Sequence, residues 1–266
     1  MIAFIGAGNM ASSLIGGLVD DNYPAENIIV TDQSKEKSQA LAGLYGIQVA
    51  NDNISAVKKA NIIVLCVKPQ VMKSVVTEIA NHINSEQCII SIAAGTKIDS
   101  ISEWLGKKAS IIRCMPNTPA LIKCGATGMF ANDLVTKEQK MEAESILRAV
   151  GVIVWLKQES QLDIVTAVSG SGPAYFFLLM EICEQVGLRL GLPADCVHLL
   201  VLQTALGAAK MALESDSSVA TLRQQVTSPG GTTEAALRTL EEGNIRALVS
   251  DAIKHAKIRS EELSKI

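Results

Sequence analysis

The chain opens on Ile2-Ala3-Phe4-Ile5-Gly6-Ala7-Gly8-Asn9-Met10-Ala11, a short apolar strand running straight into a G-x-G-x-x-A turn. The first glycine allows the tight turn, and Gly8 lets the backbone approach a pyrophosphate. The small Ala11 lets the following helix pack closely on its strand. A helix starting there presents unpaired N–H groups to phosphate oxygens. An acidic residue, Asp32, closes the second strand-like run about twenty residues further on, where a carboxylate binds the ribose hydroxyls of a dinucleotide. Asp32 favours a 2′-hydroxyl over a 2′-phosphate, whereas the adjacent Ser34, Lys35 and Lys37 suit a phosphate; NAD and NADP both stay open.

Outward from this turn, β-branched runs recur at Ile2–Ile5, Ile28–Thr31, Ile62–Val67, Cys88–Ala93, Ser110–Cys114 and Val152–Leu156. Amphipathic stretches lie between most of them, Thr136–Val150 being the clearest, with Gly151 at its end. Continuous apolar strands alternating with helices predict an α/β domain, a Rossmann-type doubly wound parallel sheet covered on both faces, over residues 1–158. Beyond it the strand signal stops. Helices are expected from Pro173 to Leu190, Pro193 to Leu213, Thr232 to Glu242 and Ile245 to Lys265, so residues 159–266 read as an all-helical domain. The run from Cys196 to Leu213 is nearly continuously apolar, but His198, Gln203, Thr204 and Lys210 interrupt it. A helix apolar almost all round must be covered, and a domain this small cannot do so alone. A second subunit is therefore expected against these helices, making this a dimerisation domain.

Composition narrows the chemistry. The 266 residues are 48% apolar, 19% charged and only 3% aromatic, with a net charge of −3. Such a chain is neither disordered nor suited to nucleic acid or an anionic membrane, and it has few rings for base stacking. A small-molecule substrate is expected. The six cysteines and three histidines are scattered, so no metal site is expected, and the cysteines read as small hydrophobes. With no basic leader before the first strand, a cytoplasmic protein is expected. No tyrosine is followed by lysine four residues on, and Gly170-Ser171-Gly172 is not a nucleophile elbow. Hydride delivery to an already activated C=N bond needs little from a protein acid and fits what remains.

Four further segments are distinctive: Val67-Lys68-Pro69, Arg113-Cys114-Met115-Pro116-Asn117-Thr118-Pro119, Ser169-Gly170-Ser171-Gly172-Pro173-Ala174-Tyr175 and Thr227-Ser228-Pro229-Gly230-Gly231-Thr232-Thr233. With the glycine turn and Ser91-Ile92-Ala93-Ala94-Gly95, in this order, the chain resembles the pyrroline-5-carboxylate reductases from end to end. The resemblance implies reduction of 1-pyrroline-5-carboxylate to L-proline with NADP or NAD in reduced form as hydride donor, the last step of proline biosynthesis. It implies that Ile5, Gly6, Ala7, Gly8, Asn9 and Met10 lie on the pyrophosphate and Asn53 by the adenosine ribose. Cys66, Val67, Lys68 and Pro69, with Ile92, Ala93 and Ala94, fall along the nicotinamide half. The backbone N–H groups and hydroxyls of Ser228, Gly230, Gly231, Thr232 and Thr233 suit the substrate carboxylate. Thr233 falls by the ring nitrogen, where its hydroxyl would assist protonation. Asp216 is assigned a water-mediated contact. A homo-oligomer is implied, a dimer of interlocked helices that often assembles into decamers. The stretch Ser218–Gln224 departs from the His-Pro-Gly and Leu-Lys-Asp that many members carry, which bears on local loop geometry. Two other readings stand: a sister reductase for another imine or a ketoacid, against which the lysine-free Pro173–Leu190 helix argues, and a non-catalytic NAD(P)-binding regulator.

Overall fold

The computed structural model describes residues 1–264. Its strands are β1 (Ile2–Ile5), β2 (Ile28–Thr31), β3 (Gln48–Val49), β4 (Ile62–Leu65), β5 (Cys88–Ser91), β6 (Ser110–Met115), β7 (Gly125–Ala131) and β8 (Gly151–Trp155). They form one sheet in the order β3-β2-β1-β4-β5-β6-β7-β8. β1 sends Ile2 and Phe4 into a cluster with Ala11, Leu14 and Ile15 of α1 (Asn9–Asp20). Its Ala3 and Ile5 enter a second cluster with Met72 and Val76 of α4 (Pro69–Ile79). Burying such a side chain contributes about 1.5–3 kcal/mol, which is why both faces of this strand must be apolar. The same layers hold α2 (Lys35–Tyr45), α3 (Asn53–Val57), α5 (Ile98–Leu105) and α6 (Lys137–Arg148). Thr136 caps α6, accepting from the Gln139 N–H while the Gln139 side chain accepts from the Thr136 N–H.

Two features of the sheet depart from expectation. It is mixed rather than wholly parallel, because β7 runs antiparallel to β6, and β8 is parallel to β7. β7 carries little β-branched signal because Gly125 and Gly128 are where neighbours come close: a Cβ on Gly128 would meet Val165 at 2.9 Å, and one on Gly125 would meet the Val150 carbonyl at 2.8 Å. Gly151 does not end α6 but begins β8, at φ +150 and backbone to backbone with Gly125. Coverage is also incomplete, since Val152 and Val154 of β8 are exposed. The cysteines divide as well. Cys88 and Cys114 are buried, Cys66 is half-buried, and Cys124, Cys183 and Cys196 are exposed. The last three therefore do not act as core hydrophobes within this chain.

The chain divides into two compact units. One comprises Met1–Ser171 with the described residues from Ala256 on; the other is Gly172–His255. The first also contains α7 (Gln161–Val165) and a π-helical turn at Thr166–Gly170, where the Ser171 N–H reaches back to the Thr166 carbonyl. The second holds α8 (Gly172–Arg189), α9 (Ala194–Glu214), α10 (Val219–Gln225), α11 (Thr232–Glu242) and most of α12 (Ile245–Leu263). α8 and α9 form a hairpin with Val197 against Gly187. Phe176, Phe177, Leu179, Leu199 and Leu200 remain exposed on these two helices. The stretches Gln161–Arg189 and Ala194–Glu214 are long and apolar enough to cross a membrane by length and composition alone.

Candidate active site

Strand register lines up the loops that follow. Ile5 pairs with both Thr31 and Leu65, Leu65 with Ser91, and Ser91 with Arg113. Segments 6–10, 32–34, 66–69 and 92–94 therefore leave the sheet at one common edge. β1 lies between β2 and β4, the point where strand order reverses and ligands bind in open α/β sheets.

A cavity of about 560 Å³ opens there, lined by Ile5, Gly6, Gly8, Asp32, Asn53, Cys66, Val67 and Lys68 among the expected residues. Gly6 sits at φ +105 with its α-carbon against β4, and a Cβ would lie 2.7 Å from the Cys66 carbonyl oxygen, so no other residue fits. A Cβ on Gly8 would meet nothing within 4 Å; the space above the turn is open, as a pyrophosphate requires. Asn9 and Met10 form the first turn of α1, whose N-cap is the extended Gly8. Ala7 and Ser34 reach the site through Asp32. The Ala7 N–H donates to Asp32 Oδ2 at 2.7 Å, and the Ser34 N–H donates to Oδ1 at 2.9 Å. These residues fit a dinucleotide. Pro69 and Ala94 line a neighbouring cavity of about 530 Å³, which shares Gln70 with the first. Ala93 is buried and Ile92 half-buried between β5 and that loop. Burial pushes the Cys66 thiol above its ordinary value, so the wall beside Gly6 is neutral.

Sequence reading missed the α4 wall. Gln70, Ser74 and Glu78 line the main cavity, four residues apart on one face of that helix. The spacing is visible in the sequence, but the distinctive motif stops at Pro69. Two side-chain supports brace the chain nearby, of which the first was not foreseen from the sequence. Arg113, its side chain only 8% exposed, pairs with Glu159 at 2.6 Å, and Glu159 Oε1 also accepts from the Ile98 N–H at 2.8 Å. Asn117 donates to the Ser169 carbonyl at 3.0 Å and accepts from the Ala126 N–H at 2.9 Å, so its side chain is a brace.

In the second unit, Thr227–Thr233 is a turn running into α11. The Gly231 N–H donates to the Ser228 carbonyl at 3.0 Å, and Gly230 lies at φ +72. The Gly230 N–H donates to the Glu234 carboxylate at 2.7 Å, so the turn already holds one carboxylate of its own. The N–H groups of Thr232, Thr233 and Glu234, in the first turn of α11, have no partner inside the helix. Asp216 is exposed between α9 and α10, and among the described residues no hydrogen bond ties it to this turn.

The chain matches known proteins along its whole length. It is 50% identical over 264 residues to a pyrroline-5-carboxylate reductase of Pseudomonas aeruginosa, covering 99% of this chain and 97% of that one. The chain belongs to the pyrroline-5-carboxylate reductase family. The profile described as pyrroline-5-carboxylate reductase dimerisation matches residues 159–263, and one described as NADP oxidoreductase, coenzyme F420-dependent, matches residues 1–95. Among solved structures, a pyrroline-5-carboxylate reductase from Coxiella burnetii superposes with a TM-score of 0.96 at 45% identity, covering 100% of this chain and 98% of that one. A pyrroline carboxylate reductase from Plasmodium falciparum with NADP bound superposes at 0.88 with 31% identity, covering 99% and 97%.

Proposed function

We propose that this chain reduces 1-pyrroline-5-carboxylate to L-proline, and that the two loops divide the work. Ile5–Met10, Asp32, Ser34 and Asn53 hold the pyrophosphate and adenosine half of the dinucleotide; Cys66–Pro69 and Ile92–Ala94 hold the nicotinamide half. Bound NAD(P)H supplies a hydride to the imine carbon. The Ser228–Thr233 turn takes the substrate carboxylate on its backbone N–H groups, as it takes Glu234 in this structure. The Thr233 hydroxyl donates to the ring nitrogen, which takes up a proton as the C=N π pair becomes its lone pair. An imine protonates readily near neutral pH, so positioning and water exclusion carry most of the rate. Asp216 adds a water-mediated contact.

What carries this reading is the full-length identity with a named reductase, in which the distinctive turns fall within the aligned length. Residues 1–158 are read as the dinucleotide-binding domain and 159–266 as the substrate and dimerisation domain, supported by the start of the dimerisation profile at residue 159. A second copy of the chain covers the apolar faces of α8 and α9, and decamers of such dimers are part of the same proposal. Proline biosynthesis in the cytoplasm is the proposed setting; the six unpaired cysteines agree with a reducing compartment. The test is loss of reduced-nicotinamide absorbance with 1-pyrroline-5-carboxylate. Thr233→Ala is expected to lower kcat/KM by about 10²-fold, with Thr233→Ser retaining most of it. An unchanged kcat/KM in Thr233→Ala removes the assigned role.

A further inference from the structure

Carboxylates crowd the hydrogen-bond donors around the Asp32 end of the main cavity, where Gln33, Lys37 and Asn53 also line the wall. Three that would suit a 2′-phosphate are already occupied by carboxylates. The Ser34 N–H donates to Asp32 Oδ1 at 2.9 Å, the Ser34 hydroxyl to Glu36 Oε2 at 2.6 Å, and the Asn53 side-chain amide to Glu78 Oε2 at 2.8 Å. Asp32, Asn53 and Glu78 line the same cavity. A phosphate can only accept hydrogen bonds and carries negative charge, so it would have to displace these carboxylates and then sit beside them. A ribose 2′-hydroxyl is a donor and meets acceptors there. Lys37 lines this cavity as well, but it and Lys35 are exposed on the first turn of α2, where their attraction is modest and screened. Lys68, which also lines the cavity, follows β4 with Cys66 and Val67.

We infer that Glu36 and Glu78, by occupying the Ser34 and Asn53 donors, are specificity-determining residues that select NADH over NADPH. The inference rests on the reading of this cavity as the dinucleotide site. It goes beyond the effect of Asp32 alone, because it assigns the selection to two carboxylates outside the glycine-turn pattern.

Equilibrium binding of NAD⁺ and of NADP⁺ to the full-length protein, by titration calorimetry, tests it without relying on turnover. The wild-type chain is expected to bind NAD⁺ at least fivefold more tightly than NADP⁺. In Glu36→Gln/Glu78→Gln the preference is expected to fall at least threefold, through tighter NADP⁺ binding, with the NADH to NADPH ratio of kcat/KM moving in parallel. Equal binding, or tighter NADP⁺ binding, by the wild type overturns the inference while leaving the reductase reading intact. A wild-type preference that does not move in the double variant removes Glu36 and Glu78 as its cause. If neither dinucleotide binds, the site reading itself fails and the inference falls with it.

Discussion

Glu159→Ala attacks the support beneath the Ser91–Lys97 loop. The Arg113 side chain is 8% exposed and that of Glu159 24%, with 2.6 Å between Nη1 and Oε1. Removing one partner of a buried pair costs about 3–5 kcal/mol, because the other charge stays desolvated without compensation. The Ile98 N–H loses its acceptor too, which adds about 1 kcal/mol. Water reaches the Glu159 side, which pulls the total to the lower end, about 3 kcal/mol. At about 2–4 °C per kcal/mol for a domain of this size, the melting temperature should fall by about 6–12 °C. The consequence reaches the site, because Arg113 and Ile98 flank the Ser91–Lys97 stretch containing Ile92, Ala93 and Ala94. Thermal denaturation followed by circular dichroism, with a cycle comprising Glu159→Leu, Arg113→Met and the double variant, measures the coupling. The double variant should be clearly more stable than the sum of the single effects predicts. A loss below about 1 kcal/mol in Glu159→Ala, or strict additivity in the cycle, would refute the argument.

Three other outcomes are expected. Asn117→Ala leaves the Ala126 N–H and the Ser169 carbonyl without their partner and should cost about 2 kcal/mol by urea denaturation; Asn117→Asp keeps an acceptor for Ala126 only and should fall between wild type and Ala, and a neutral Ala variant contradicts the brace. In thiol labelling with peptide mapping at mildly alkaline pH, Cys124 should react while Cys66, Cys88 and Cys114 stay protected, since burial pushes the Cys88 thiol up to about 12 and the other two higher still; rapid labelling of Cys88 or Cys114 in the folded protein would count against the core as described. Glu241, held by Arg246 with Arg223 nearby, has its carboxyl below the ordinary 4.5. Its contribution to the folded state is therefore complete above pH 4.5 and lost as pH falls through the lowered value. An NMR titration midpoint at or above 4.5 would remove it.

Much of the candidate site is legible in the sequence because its signals are local. Gly6 and Gly8 are set by the backbone conformation and clearance of one turn, and Asp32 by the end of the next strand, so pattern and spacing find them. Asn117 stands out in the sequence within a proline-bracketed segment, but its partners do not, because Ser169 lies far along the chain. β7 escaped notice because its two glycines answer to neighbours across the sheet rather than to strand propensity. The α4 wall escaped because Glu78 has meaning only once Asn53 is opposite it.

The sequence by itself determined the alternation of strands and helices, the dinucleotide turn and the switch to a helical second half. Each depends on periodicity, turn chemistry and the burial of apolar faces, which act between near neighbours. Only the tertiary structure decided which polar groups satisfy one another: Asp32 with the Ala7 N–H, Asn53 with Glu78, Arg113 with Glu159. A hydrogen bond needs its partners within about 3 Å, and whether residues 25 or 46 positions apart come that close is set by strand order and helix packing.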